Sequence, residues 1–94
     1  MKGEIQGLIA KCKVAAKQPA AYGFLPDIIG ELEDIKSELE KDQPNPERLL
    51  LWARGLGRLV TDSYAFSESP LGTELLELAD DVVRKYAWRF PRFR

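Results

Sequence analysis

Every proline in this 94-residue chain stands at the edge of a stretch with helical apolar spacing, and none stands inside one. Proline lacks a backbone N–H and clashes with the preceding turn, so it is tolerated at the start of a helix and ends one elsewhere. Gln18-Pro19, the run Asp42 to Pro46, and Ser69-Pro70 therefore cut the chain into four segments. The spacing predicts helices over about 2–17, 26–42, 46–66 and 70–90. There is no strand-like alternation and no internal repeat. The predicted architecture is an all-α, compact antiparallel bundle of about four helices in a single domain, 1–94. The two later turns are short, which favours antiparallel neighbours.

Each segment carries its own apolar face. Ile5, Leu8, Ile9, Cys12, Ala15 and Ala16 recur at helical steps in the first. Ile28, Leu32, Ile35 and Leu39 form a narrow 4-3-4 seam in the second, which starts at Pro26. Leu49, Trp52, Ala53, Leu56, Leu59, Val60 and Tyr64 give the third the broadest face, so it is expected to be central. Asn45 and Ser69 precede prolines as predicted N-caps of the third and fourth. Leu71, Leu75, Leu78, Val82 and Tyr86 line the fourth, with Ala79, Val83 and Phe90 beside them. Its acids come early and its bases late, as the helix dipole favours. Leu50, Leu51 and Leu76 exceed what one four-helix core needs, and they suggest a second apolar surface for a homodimer.

Charge is unevenly spread. Residues 24–46 hold seven acids and two lysines, a net of −5, while residues 1–23 carry +3 and the whole chain −1. Asp27, Glu31, Asp34 and Glu38 follow steps of four, three and four, which places all four carboxylates on one helix face. Like charges at that spacing disfavour a helix by about 0.2–0.5 kcal/mol per pair. Such a stripe needs cations nearby. Either Lys13 and Lys17 of the first helix lie across from it, or it is a solvated face, or it docks a protein with a basic surface. One helix face presents carboxylates in a row and does not surround an ion, so no metal is expected.

Two further features bear on partners. Arg54-Gly55-Leu56-Gly57-Arg58 places two glycines inside the most apolar helix, at about 1 kcal/mol each relative to Ala. Close approach of a neighbouring helix is the expected reason. A groove flanked by Arg54 and Arg58 is the alternative. The tail from Trp88 through Arg89, Arg92 and Arg94 alternates aromatics with arginines. It is expected to cap the bundle, and it could otherwise stack on nucleobases.

Composition narrows the chemistry. Hydrophobic residues make up 45% and charged ones 31%, as in a folded domain. There is no histidine and one cysteine, so neither a serine or cysteine triad with its usual base nor an ordinary zinc site can be assembled. No phosphate-loop glycine pattern is present. No apolar run reaches the length of a membrane span, and the start of the chain lacks the pattern of a signal peptide. Cys12 is expected to be buried and inert. These readings together predict a cytoplasmic, non-enzymatic protein-interaction module without cofactor, of adaptor, antitoxin or immunity-like role. Asp27, Glu31, Asp34, Glu38, Arg54 and Arg58 are its candidate partner-binding residues. Nucleic-acid binding through the basic aromatic tail is the alternative.

Overall fold

A computed structural model describes residues 2–87 of the chain. Five helices form: α1 Lys2–Ala16, α2 Leu25–Leu39, α3 Pro46–Thr61, α4 Tyr64–Ser67 and α5 Pro70–Tyr86. The expected all-α bundle is what the chain builds. α1 packs on α2, α2 on α3, α3 on α5, and α5 returns to α1, whereas the diagonal pairs make no close backbone approach among the described residues. The four long helices thus form a ring. Asp27 and Asp62 line one end of the α2–α3 junction, and Glu38 meets Asn45 at the other. α2 and α3 therefore run antiparallel.

The predicted apolar faces point into one continuous core. Ile5, Leu8, Ile9 and Cys12 of α1 are buried there, with the whole Ile28-Leu32-Ile35-Leu39 seam of α2. Leu49, Ala53, Leu56 and Val60 of α3 meet Leu75, Leu78, Val82 and Tyr86 of α5. Burying a side chain of this size contributes about 1.5–3 kcal/mol before the loss of chain entropy. Cys12 is a free, buried thiol, pushed up to about 11 by desolvation. That value keeps it protonated and unreactive. No described helix is long and apolar enough to cross a membrane.

The caps explain where helices start. Asn45 accepts from the N–H groups of Glu47 and Arg48, with Pro46 in the first turn. Ser69 accepts from the N–H of Gly72 in the same way ahead of α5. Both satisfy backbone donors that a helix start leaves unpaired.

Three expectations change. The third segment is not one helix to residue 66. α3 stops at Thr61, whose hydroxyl donates back to the carbonyls of Gly57 and Arg58. Ser63 then caps the single turn α4 by accepting from Phe66 N–H. The break rotates Phe66 into the core and leaves Tyr64, expected on the apolar face, 79% exposed. The second helix ends at Leu39 and not near 42, because the side chain of Glu38 draws in the following turn. Leu50, expected outside the core, is buried; α3 touches both α2 and α5, so its apolar arc is wider than a single seam. Leu76 is partly buried against the core, and of that trio only Leu51 is exposed.

α4 turns the chain sharply into α5. Gly72 makes that corner: a Cβ built there would overlap the carbonyl oxygen of Phe66 and lie 3.1 Å from Ser67 Cα. Phe66 also joins Tyr22 and Phe24 in an aromatic cluster with ring centroids 5.0–5.2 Å apart. The α1–α2 connector is thereby fastened over one end of the bundle.

Candidate functional site

The acidic face of α2 divides along its length. Near its C-terminal end, Glu38 is only 3% exposed. One of its carboxylate oxygens accepts from Asn45 N–H at 2.9 Å, and the other pairs with Lys41 Nζ at 3.1 Å. The Asn45 hydrogen bond, then Lys41, hold this carboxyl below the ordinary glutamate value. Glu38 therefore staples the α2–α3 turn. It leaves the partner-binding set proposed from the sequence, because its acceptor capacity faces inward.

Two turns earlier the same face borders a groove. Pro26, Asp27, Gly30, Glu31 and Asp34 of α2 form one wall. Gly55, Arg58 and Leu59 of α3, with Asp62 just beyond it, form the other. The groove encloses about 500 Å³. Its four carboxylates and one guanidinium give a net charge of −3 when all are ionised. The stripe and the glycine-containing segment, read separately in the sequence, meet here.

Glu31 is the contact between the walls. A Cβ at Gly55 would stand 3.2 Å from Glu31 Oε1, tighter than ordinary packing. Gly55 thus makes room for this carboxylate. The other oxygen, Oε2, is buried and has no hydrogen-bond partner. Burial, then Asp34 and Asp27 one turn to either side, push the Glu31 carboxyl above its ordinary value. Both effects disfavour the charged form. Gly57 and Gly30 have no such neighbour: nothing lies within 4 Å of a Cβ at either position. Close approach accounts for one glycine of the pair in α3, and the structure gives no packing reason for the other.

The lysines of α1 do not neutralise the stripe. Lys13 lies with Glu33, Lys36 and Ser37 in a separate furrow. No ion pair joins Lys13 or Lys17 to the stripe among the described residues. Arg58 and Asp62, suited by spacing to pair with each other, form no ion pair among the described residues either. Arg54 is exposed, has an interaction of its own, and is not part of the groove wall. Trp88, Arg89, Arg92 and Arg94 lie outside the described residues.

A second depression of about 330 Å³ lies between α1 and α5, lined by Glu4, Gly7, Lys11, Glu74, Glu77 and Asp81 among others. Lys11 spans it to Glu74 at 2.9 Å. Asp81 pairs with Arg84 on its own helix, while Glu4 and Glu77 form no ion pair among the described residues. Among the described residues no set of three His, Cys, Asp or Glu is arranged to hold a metal ion.

Comparison with protein-family models, with curated proteins and with solved structures finds no match to this chain.

Sequence reasoning found Asp27, Glu31, Asp34 and Arg58 of the groove, and missed Gly30, Leu59 and Asp62 as wall residues. It named Gly55 without its neighbour. Carboxylate spacing on α2 indicated a shared face, but nothing in that spacing distinguishes Glu38, whose partner Asn45 lies seven residues on, from Glu31.

Proposed function

We propose that the protein is a non-enzymatic interaction module and that the α2–α3 groove receives a basic segment of a partner protein. The observation that carries this reading is the Glu31 carboxylate, held between two further acids with one oxygen buried and undonated. An unsatisfied buried acceptor costs about 1–3 kcal/mol, more when charged. A partner's guanidinium or ammonium entering the groove would bring the missing donors and the missing charge. Arginine suits the site better than lysine, because its planar fork can bridge neighbouring carboxylates and lie against an apolar wall such as Leu59. Electrostatic complementarity of this kind speeds association and selects among partners. An adaptor or inhibitor role in a reducing cytoplasm accords with the free, buried Cys12.

The test uses Asp27→Lys/Asp34→Lys, because both side chains are exposed and their reversal leaves the core untouched. Proteins captured by the wild type from a native lysate are purified and titrated against both forms by calorimetry. The expected result is a direct complex that weakens with salt and is lost in the variant, while circular dichroism stays unchanged. Equal binding to both forms would remove the groove from the interaction.

A further inference from the structure

Glu31 does more than line the groove. Its surroundings make its charge dependent on whether the groove is filled. On its own helix it faces Asp27 and Asp34. Across the groove α3 presents Arg58 and, just past its end, Asp62, with Arg54 beside Gly55 engaged in an interaction of its own. On the other side of α2, the α1 lysine Lys13 lines a furrow with Glu33 and Lys36, and neither Lys13 nor Lys17 makes an ion pair with the stripe among the described residues. No cation is therefore paired with the Glu31 carboxylate among the described residues, and its Oε2 receives no hydrogen bond. Gly55 gives the side chain no hard stop, so a modest rotation can turn that oxygen toward the groove.

We propose that docking of a basic segment in this groove is proton-linked through Glu31: entry of an arginine side chain favours its carboxylate, and protonation of that carboxyl in turn weakens the arginine's hold. This rests on the docking reading above. The physical cause is linkage. A ligand that interacts better with the carboxylate than with the carboxylic acid must shift the balance toward the carboxylate, and added protons must weaken that ligand. The direction is fixed by the sign of the charges. Burial and the two flanking acids oppose ionisation in the empty groove, and a guanidinium reverses both effects. Affinity is then highest at neutral pH. It declines on acidification, beginning above the range in which ordinary carboxylates protonate.

The experiment uses the full chain and an acetylated, amidated hexa-arginine peptide as probe. Backbone amide shifts locate the peptide. The Glu31 side-chain carboxyl carbon is followed by NMR through a pH titration, with and without peptide. Calorimetry in two buffers of different ionisation enthalpy counts protons released on binding. The expected results are amide shifts confined to residues 27–34 and 55–62, and a Glu31 midpoint that moves down when peptide is present. Affinity should fall several-fold from neutral to mildly acidic pH, with proton release in the same interval. Glu31→Gln should bind more weakly and lose both the proton release and that part of the pH dependence. If the peptide binds in the groove but the Glu31 midpoint stays where it was, the linkage is wrong and the docking site stands. If the peptide binds elsewhere or not at all, both fall.

Discussion

The corner between α4 and α5 and the groove between α2 and α3 are both places where a glycine lets something come close. At the corner the approaching atoms are backbone: the Phe66 carbonyl oxygen occupies the space of a Gly72 Cβ. At the groove the approaching atoms are the far end of one flexible side chain, Glu31 against Gly55. Backbone cannot yield without moving a helix, whereas a carboxylate can rotate away. The first glycine is thus a fixed requirement of the fold. The second marks an adjustable contact, and that is the kind of place where a partner can intervene.

Replacing the first glycine should have the largest effect. Gly72→Ala is expected to destabilise the domain by at least the roughly 1–3 kcal/mol typical of overpacking. At about 4–8 °C per kcal/mol for a domain of this size, thermal melting would show it plainly. A melting temperature within a degree of wild type would mean that the corner relaxes cheaply and that the contrast with Gly55 is false.

The two ends of the acidic face should respond to pH in opposite senses. The Glu38 carboxyl is lowered in the folded state. Its contribution is present above the ordinary glutamate value of 4.5, and it is lost as pH falls through the lower folded value. The Glu31 carboxyl is raised. Its contribution is fully present below 4.5, and it is lost as pH rises through the higher folded value. The Glu31 contribution to melting temperature should therefore climb as pH drops toward 4.5, and the Glu38 contribution should decline in stronger acid. Glu31→Gln should raise stability at neutral pH and flatten the climb. Glu38→Gln should lower stability at neutral pH and weaken the acid-side decline. Superimposable profiles for the two variants would show that both glutamates sit in equivalent surroundings.

Gly55→Ala is a finer probe of the same contrast. The methyl group gains up to about 1 kcal/mol of helix propensity and displaces Glu31 by a few tenths of an ångström. Stability should change little, and the Glu31 carboxyl, pushed toward solvent, should titrate closer to its ordinary value by NMR. Gly57→Ala should give a small, plain gain of about 0.5–1 kcal/mol in chemical denaturation, since nothing lies within 4 Å of the new methyl. A loss there would reveal a close neighbour of Gly57.

Much of this fold is legible in the chain because its signals are local. Pro46 and Pro70 with their caps Asn45 and Ser69 set two helix starts, and the Ile28-Leu32-Ile35-Leu39 seam is buried throughout. The break after Thr61 has a local signal too, in Thr61-Asp62-Ser63, three residues that favour caps and turns over helix interiors. The strong apolar period on either side obscures it. Gly72 and Glu38 are a different case. Their meaning depends on which backbone returns to them, and neither residue type nor spacing carries that information. The groove was half legible for the same reason: its α2 wall shows as a charge pattern, while its pairing with Gly55 exists only once the helices are aligned.

The ring of helices is not closed evenly. α1 lies along α2 but meets α5 over a shorter stretch, across the furrow spanned by the exposed Lys11–Glu74 pair. Exposed pairs of this kind contribute little, so the seam between first and last helix is the thinnest part of the wall. Amide hydrogens of α1 should exchange ahead of those in α3, because a barrel with one weak stave opens there before the rest gives way.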